Sequence, residues 1–473
     1  MIFLPIAIVL LLLGAFIENN FIIAVIILAI FLYTFMKYKE GLLLLFVYFP
    51  LRPTLIELNP SLKVIGDLMI LALLLRVAFM YRREWKSLFR FQVFEVAFFI
   101  FLLIGAISAY VVSDVQVSAI IFQIRAFLLM YFVFYIVKRI EVTKEDLIRL
   151  CWTVLVMVLL IGLHGIIEKI SLRTLLLPEA WVEMPLSSVN RIRIYGLLGN
   201  PNSLALFMSF SIIFLLYLRE QISHRLIVNL VLLLSFSILV MTYSRGTWLA
   251  FIFSASLYVL ISRKWKAAAT VMVFTLLSIV LITMPVNYAS EKMESTDFGT
   301  EQREVQKKYD QSDGKASDRI TGTFDETTLE GSKTSGRLYI VKKGFEIFQD
   351  HPVIGTGFGT YGDSATLSYG SPVYEDYEIS LRFYSDNQYI QIIVQTGTLG
   401  VILFALFLLS MLYYLIKNRK DLPNYPLLVS VLLGIFAISL VYNSWESYIL
   451  TMFFYALLGS AVSGHQRSKK KLV

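Results

Sequence analysis

Arg245 lies between two apolar runs, where a charged side chain is costly to keep and is therefore a candidate for function. It is followed by Gly246, which allows another group to approach the backbone closely. A guanidinium group in such a partly dry setting can hold a phosphate through paired hydrogen bonds. The alternative is an interfacial arginine whose side chain extends to the lipid headgroups. Arg245 is thus predicted to bind an anion, either on a substrate or on a lipid.

Two further arginines, Arg191 and Arg193, alternate with isoleucines, so an extended segment would place both on one face. They come shortly before Asn202 and Ser203, either of which could cap a helix that enters the membrane. A helix N-terminus beside two arginines forms an anion site, because its N–H groups and the guanidinium groups both attract negative charge. Binding of lipid headgroups by the same two arginines is the alternative.

Two residues of the long polar segment before the last spans could act as bases. Asp386 and Asn387 directly precede an apolar run, and a carboxylate there could accept a proton from a hydroxyl group. Capping of the following helix is the alternative role for both residues. His351 is followed by Pro352, so a structural role at a helix end competes with its role as a base.

The second half of the same segment is rich in Gly, Tyr and Phe and is predicted to be ordered. Apolar residues at helical spacing over 338–348 predict a helix that ends before Pro352. Gly355, Gly357 and Gly359 follow no strand–loop–helix pattern and precede no Gly-Lys-Ser/Thr, so they predict a tight turn and not a phosphate cradle.

Membrane helices must position these candidates, because 57% of the 473 residues are hydrophobic and only 16% are charged. The apolar residues come in runs of roughly 16–25, the length that a helix needs to cross a hydrocarbon core, where a backbone must satisfy its own hydrogen bonds. The sequence predicts an all-α, polytopic integral membrane helical bundle with about 12–14 transmembrane helices. Its fourteen candidate spans are 2–17, 21–36, 41–51, 64–80, 92–112, 119–137, 147–167, 197–218, 226–241, 247–261, 268–285, 389–416, 426–442 and 447–462. The third is short and is predicted to be a half-span or a re-entrant piece.

The distribution of charge predicts the orientation of the chain. The segment 286–387 carries 11 basic and 18 acidic residues, although the whole chain has a net charge of +8. The positive charge is concentrated in alternate short loops and in the C-terminal tail, the pattern of the positive-inside rule. These basic loops are Lys37–Lys39, Tyr81–Arg90, Lys138–Lys144, Arg219–Arg225, Arg263–Lys266 and Lys417–Lys420. Both termini are therefore expected in the cytoplasm, and no nucleic-acid partner is expected.

Four regions follow from this topology. Residues 1–167 form N-terminal transmembrane helices, and 168–285 form transmembrane helices with arginine motifs at the outer face. Residues 286–388 form one extracytoplasmic loop, flexible over 286–334 and ordered over 335–388, and 389–473 form the C-terminal helices with a basic cytoplasmic tail. A single cysteine excludes an intrachain disulfide and a cysteine-ligated metal cluster, and the histidines show no ligand spacing.

Five motifs, in this order around the long loop, resemble the O-antigen ligase and polysaccharide polymerase family. They are Arg193–Gly196 with Gly199–Asn202, Tyr243–Gly246, Ser335–Arg337, Asp350–Pro352 with Gly355–Gly357, and Asn387–Tyr389 with Gly397–Gly400. Together they cover 185–400, whereas the first seven spans are similar to the family only in hydropathy.

The resemblance implies a GT-C-like, metal-independent and inverting membrane glycosyltransferase without a cofactor. Its donor would be a glycan on undecaprenyl diphosphate at the outer face of the bacterial cytoplasmic membrane, and its acceptor a second glycan. Arginines matching Arg193, Arg245 and Arg337 would grip the diphosphate and stabilise it as a leaving group. Other residues of these motifs and the neighbouring Arg191 would bind substrate; the motif residues are Asn202, Asn387 and Tyr389.

One departure from the family bears on the base and on the acceptor. Ligases of the family usually have a histidine directly before the asparagine of the last loop motif, and this chain has Asp386 there. Asp386 is then the candidate base, with His351 as the second. The substitution also favours a polymerase, which extends another lipid-linked repeat unit, over a ligase, which transfers the glycan to a non-carrier acceptor.

Two other classes remain open at this point. A flippase for lipid-linked sugars would suit the number of spans, but transporters bind near the midplane in repeated halves, and no repeat is evident here. A peptidoglycan polymerase of the shape and division class would share the helical body and fits the arginine motifs less well. For the polysaccharide enzyme, membrane lipids, a flippase and a chain-length regulator are the further expected partners.

Overall fold

The computed structural model describes residues 3–307, 336–380, 382–422 and 424–471. It is 77% helical, and no strand occurs in these ranges. Among the described residues, nine helices are long and apolar enough to cross a membrane, and four further apolar helices have 10–17 residues. The chain is therefore an all-α polytopic membrane protein, as its composition predicts.

The helices are numbered in chain order. They are α1 (Phe3–Gly14), α2 (Asn20–Met36), α3 (Tyr38–Leu58), α4 (Ile65–Met80), α5 (Val93–Val111), α6 (Val117–Val137), α7 (Lys144–Ile170), α8 (Glu179–Val182), α9 (Ser188–Arg191), α10 (Pro201–Gln221), α11 (Leu226–Met241), α12 (Arg245–Ser262), α13 (Trp265–Ser278), α14 (Met284–Glu294), α15 (Asp297–Lys307), α16 (Arg337–Asp350), α17 (Ser364–Tyr369), α18 (Gln388–Lys417), α19 (Tyr425–Ile438) and α20 (Tyr448–Lys471).

The chain divides into two compact units. The first contains 1–80, 142–251 and 263–323, and the second contains 81–141, 252–262 and 324–473. Every predicted span coincides with a helix. The predicted half-span at 41–51 is wrong, because α3 is a continuous helix of 21 residues with Pro50 and Pro53 inside it. Membrane helices tolerate proline where neighbouring groups satisfy the freed carbonyls.

The segment 286–334, which is predicted to be flexible, begins with helical structure. Helix α14 runs to Glu294, and α15 covers Asp297–Lys307. Residues 308–334 lie outside the described residues, so their flexibility stays a prediction. Beyond them, α16 occupies the helix predicted at 338–348 and ends at Asp350, directly before His351 and Pro352.

The core of the first unit is formed by α7, α10 and α11, which pack against one another. Their close approach depends on Gly162 of α7. A Cβ atom at this position would come within 2.8 Å of the Leu234 side chain of α11. A small residue at such a contact allows two membrane helices to gain van der Waals packing, which replaces the hydrophobic driving force missing in lipid.

The core of the second unit packs α5 against α18 and α6 against α20. Phe358 lies against Gly105 of α5, whose carbonyl accepts the Phe358 N–H at 3.0 Å. Its ring also contacts Phe101 and Phe127, with centroids 5.7 Å apart in both pairs. The loop before α17 is thus anchored in an aromatic cluster through a position where only glycine leaves room.

Helix α18 is broken at Gly397, where φ is +57° and ψ is −164°. Residues on both sides of this break form backbone hydrogen bonds with the glycine turn that follows α16. The N–H groups of Thr356 and Gly357 donate to Val394 and Gln395, and those of Thr398 and Leu399 donate to Pro352 and Val353. Gly355, Gly357 and Gly359 all have positive φ, so the predicted tight turn is present.

Candidate active site

Two helices of the first unit, α10 and α12, begin next to each other. The Asn200 side chain caps α10 by accepting the N–H groups of Asn202 and Ser203 at 2.8 and 3.1 Å. The predicted cap at Asn202 or Ser203 is therefore wrong, because Pro201 occupies the first helical position and shifts the cap to the residue before it. The Ser244 hydroxyl, at the start of α12, donates to the Asn202 side-chain oxygen at 2.9 Å.

Arg193 is held between these two helix starts. Its Nε donates to the Thr242 carbonyl at 2.8 Å, and its terminal nitrogen donates to the Asn202 Oδ1 at 2.7 Å. The residue is only 7% exposed. Its orientation is therefore fixed by the fold. We refer to Arg193, Asn202 and Ser244 together as the arginine cluster.

Arg245 is the first residue of α12 and directly follows Ser244 of the arginine cluster. The turn before it places Tyr243 at φ +49°, a left-handed conformation that a tyrosine adopts at some cost in energy. The Ser244 side chain makes no capping bond to α12, since its hydroxyl is directed to Asn202 and Thr247. Arg193 and Arg245 thus lie beside the positive ends of two helix dipoles, an arrangement that favours an anion.

Arg191 differs from its sequence-based description. It is the last residue of the short helix α9, in which Asn190 and Arg191 donate their N–H groups to the Ser187 carbonyl at 2.8 and 3.0 Å. The predicted extended segment with Arg191 and Arg193 on one face is therefore wrong. A helical turn ends between the two residues, and the alternation that would place them together does not apply.

Glu168, near the end of α7, fixes the backbone that follows Arg193. Its fully buried carboxylate accepts the N–H groups of Tyr195 at 3.2 Å and Gly196 at 2.6 Å, and it pairs with Arg173. The guanidinium of Arg173 also lies 4.1 Å from the centre of the Tyr195 ring. The sequence signal for this role is an acid retained at the end of an apolar run.

In the second unit, Arg337 and Asp386 form an ion pair at 3.9 Å. Arg337 begins α16, and its side chain also donates to the Val441 carbonyl at 3.3 Å. The two side chains are 55% and 38% exposed, so water surrounds much of the pair. The structure therefore brings together one of the predicted arginines and the predicted base.

Asn387 and Tyr389 both take part in the start of α18. The Asn387 side chain caps this helix by accepting the N–H groups of Tyr389 and Ile390, each at 3.1 Å. The Tyr389 hydroxyl donates to the Phe436 carbonyl at 2.9 Å. These contacts account for both residues by local structure, and their roles in substrate binding stay predictions, as does that of Asn202.

His351 lies away from the other candidates of the second unit. It is the C-terminal cap of α16, whereas Arg337 is the first residue of the same helix of 14 residues. At 1.5 Å per residue, the two ends of the helix are about 20 Å apart. The helix therefore separates His351 from the pair formed by Arg337 and Asp386, and the structural role predicted for it is the one its position supports.

One buried polar network of the second unit was not predicted. It surrounds the carboxylates of Asp363 and Glu446 and includes Gln391 and Gln395 of α18. Among the described residues, no group of three or more histidine, cysteine or acidic side chains could hold a metal ion. The common cavity expected for Arg193, Arg245 and Arg337 stays a prediction.

The fold and these clusters define a class: a polytopic helical membrane protein with arginines fixed at helix starts. Comparison with known proteins defines this class more closely. The model of the O-antigen ligase family matches residues 230–405, a range that includes Arg245, Arg337 and Asp386 but not Arg193. The predicted resemblance to the O-antigen ligase and polysaccharide polymerase family is thereby confirmed.

One curated relative points the same way. The chain is 29% identical over 136 residues to the exopolysaccharide production protein ExoQ of Rhizobium meliloti (strain 1021). The aligned part covers 28% of this chain and 30% of that protein, so the chain matches less than a third of the relative's length. Together, the two comparisons show that this multi-pass membrane protein is similar to the O-antigen ligase family and to an exopolysaccharide production protein.

Proposed function

We propose that this chain is the polymerase of a cell-surface polysaccharide in the bacterial cytoplasmic membrane. It transfers a glycan from undecaprenyl diphosphate to a second lipid-linked repeat unit at the outer face. The reaction inverts the configuration of the anomeric carbon and requires no metal ion. The match to the O-antigen ligase family over 230–405 supports the reaction class, and the arginine cluster supports the donor.

The observation that carries the proposal is the fixed guanidinium of Arg193 beside two helix starts. Its bonds to Thr242 and Asn202 hold it in place before any substrate binds. Arg245 supplies a second guanidinium at the start of α12. A diphosphate that accepts hydrogen bonds from such prearranged groups is stabilised most when it departs with an extra negative charge.

The proposed step makes and breaks one bond each. The acceptor hydroxyl oxygen attacks the anomeric carbon while the bond from that carbon to the diphosphate oxygen breaks. The departing undecaprenyl diphosphate takes the electron pair, and Arg193 and Arg245 stabilise its charge. The hydroxyl proton passes to a base, for which the sequence supplies Asp386 and His351 as candidates.

Transfer to a non-carrier acceptor, as in an O-antigen ligase, is the second candidate function, and the name of the matching family favours it. Asp386, in place of the histidine usual in ligases, favours polymerisation. The relative is an exopolysaccharide production protein, and an exopolysaccharide is a polymer, which also favours polymerisation.

A deletion strain of the source bacterium separates these functions. Loss of the polymerase leaves surface or lipid-linked glycans of a single repeat unit. Loss of a ligase leaves full-length chains on the lipid carrier, and loss of a flippase traps the lipid-linked intermediate in the inner leaflet. Either of the last two patterns would overturn the polymerase proposal.

The purified protein provides the direct test. In EDTA, it should lengthen undecaprenyl-diphosphate-linked oligosaccharide extracted from the deletion strain, as followed by gel mobility. Arg245→Lys should lose most of this activity, because an ammonium group cannot reproduce the paired bonds of a guanidinium. Arg90→Lys, at an exposed position, is the matched control. A requirement for added metal would reject the mechanism.

A further inference from the structure

Two carboxylates are buried together in the second unit, in loops that the sequence predicts to lie outside the membrane. Asp363 directly precedes α17 and is fully buried, and Glu446 lies in the short turn before α20 and is 7% exposed. A buried carboxylate is costly unless hydrogen bonds satisfy it. The hydrogen bonds around each carboxylate therefore indicate its role.

Asp363 is held by neutral donors of the backbone and of α18. Its oxygens accept the N–H groups of Thr366 at 2.8 Å and Gly359 at 2.7 Å, and the side-chain amide of Gln395 at 2.6 Å. These bonds cap α17 and fix the glycine turn before it. Asp363 is thus an acid with a structural role in this loop.

Glu446 has different surroundings. One of its oxygens accepts the N–H and the hydroxyl group of Ser364, at 3.0 and 2.5 Å, and the hydroxyl group of Tyr384 at 3.2 Å. The other accepts the amide of Gln391. Ser364 and Tyr384 are only half-buried. Glu446 therefore lies directly beneath two hydroxyl groups that are accessible from the surface of the unit.

A row of glutamines on α18 connects and orients the two carboxylates. Gln391 donates to Glu446 and, at 3.4 Å, to Gln395, which in turn donates to Asp363. The oxygen of Gln391 accepts from Gln388 at 2.9 Å, so its amide nitrogen is turned towards Glu446. The row holds Glu446 in one position and brings the negative charge of Asp363 close to it.

These surroundings set the proton affinity of Glu446. Burial, and next the charge of Asp363, raise the pKa of the Glu446 carboxyl to about 7. The pKa of the facing Tyr384 is raised well above its usual value by burial and by Glu446, so its hydroxyl group remains a donor. Burial also raises the pKa of the Asp363 carboxyl group, and of the two acids Glu446 is the one that lies beneath hydroxyl groups accessible from the surface.

The turn that carries Glu446 also reaches the other candidates of this unit. Asn443 accepts the N–H of Asn387 at 3.1 Å and donates to the Gly362 carbonyl at 3.0 Å. Val441, just before it, accepts a bond from Arg337. Glu446 and the pair of Arg337 and Asp386 therefore belong to one group of loops, and an acceptor glycan bound there could contact both.

We propose that Glu446 is the base that takes the proton from the acceptor sugar hydroxyl. This role rests on the proposed polymerase function. As the hydroxyl oxygen bonds to the anomeric carbon, its proton passes to the oxygen of the overlying Ser364 hydroxyl group, which gives its own proton to the Glu446 carboxylate; the carboxylate later releases it to water. Ser364 and Tyr384 orient the carboxylate, and Gln391 fixes it from below. Asp386 then serves to position Arg337 through their ion pair.

The test compares Glu446→Gln with the wild type in the lengthening of the extracted lipid-linked oligosaccharide. Turnover should fall by at least about 100-fold, the usual contribution of a general base, because the amide has the shape of the acid but cannot take a proton. Binding of the oligosaccharide and the melting temperature in detergent should stay close to the wild type. Glu375→Gln makes the same change at an exposed position and serves as control.

The pH dependence of turnover distinguishes a base from a residue with a purely structural role. Wild-type turnover should decline as the pH falls through about 7, as Glu446 becomes protonated. Tyr384→Phe removes a donor to the carboxylate and should shift this decline to higher pH. This variant leaves Glu446 in place, so its pH dependence tests the role of Glu446 even if Glu446→Gln fails to fold.

The outcomes separate the two proposals. If the wild type lengthens the oligosaccharide and Glu446→Gln does so within threefold, the role of Glu446 is overturned and the polymerase stands. The role of Glu446 is also overturned if turnover declines at the same pH in Tyr384→Phe as in the wild type. If the wild type lengthens nothing, the polymerase proposal fails, and the role of Glu446 fails with it.

Discussion

Arg193 and Arg337 are predicted to serve the same diphosphate, but the two units hold them in opposite ways. Arg193 is 7% exposed and bonded to a backbone carbonyl and a side-chain amide. The side chain of Arg337 is 55% exposed and faces a carboxylate at 3.9 Å. A buried, bonded guanidinium is already ordered before binding, whereas an exposed one must be ordered by its ligand.

Two arginines can therefore contribute differently to binding and to the rate of transfer. The rigid arginine should act mainly on the rate of transfer, because prearranged charge stabilises a transition state without reorganisation. The exposed arginine should act mainly on binding, and more weakly, because water and salt screen it. Substitutions at and around each residue can contradict or refine this comparison.

The largest effect is expected for Arg193→Lys. Lysine carries the charge but cannot donate to Thr242 and Asn202 in the same geometry. Turnover should fall by roughly 100-fold, the usual cost of losing a prearranged donor. Lengthening assays with Arg90→Lys as control measure this, and turnover within threefold of the wild type would contradict the rigid role.

A smaller effect is expected for Asn202→Ala, which removes the acceptor shared by Arg193 and Ser244. Leaving buried donors without this acceptor should cost about 1–3 kcal/mol of the free energy of unfolding. Arg193 should also lose its fixed position, with a fall in turnover. Thermal unfolding and lengthening assays would show both, and an unchanged melting temperature would mean that Asn202 does not support Arg193.

Arg337→Lys should lower activity by about fivefold or less, since exposed ion pairs contribute on the order of 1 kcal/mol. The loss should appear as a higher KM with little change in kcat, and added salt should reduce the difference from the wild type. A fall in kcat as large as that of Arg193→Lys would show that the two arginines act alike after all.

The smallest effect is expected at Asn387. Replacement by alanine removes the cap of α18 and should cost about 1 kcal/mol of stability. Asn387→Asp retains an oxygen that can cap and should preserve the melting temperature. If the aspartate variant keeps its stability but loses binding of the lipid-linked oligosaccharide, Asn387 contacts substrate in addition to capping.

Hydropathy and charge predict much of the fold, because lipid imposes a length and a polarity on every span. The same rule misjudges α3, whose prolines and charged flank mimic the end of a helix. Composition cannot show where a chain segment finds its hydrogen-bond partners. The exchange of bonds at Gly397 depends on the turn after α16 and is not encoded in either segment alone.

The candidate site was predicted in part. An arginine between apolar runs is conspicuous in sequence, which makes Arg245 a candidate, and alternation with isoleucines makes Arg193 one. The bonds that hold Arg193 come from residues 9 and 49 positions away. Glu446, the proposed base, is not a candidate from the sequence, because an acid in a short loop resembles a solvated residue. Gln388, Gln391 and Gln395 offered a signal, since their spacing places three polar groups on one face of an apolar helix.

The broken helix α18 has a consequence for how the protein is made. The turn at 352–357 leaves the ribosome roughly 40 residues before the carbonyl and N–H groups that complete its bonding pattern. At ordinary rates of translation, this segment waits several seconds for its partner. The loop of the second unit can therefore mature only after α18 has been inserted, so a nascent chain that stalls before Gly397 presents an incomplete turn to chaperones and proteases.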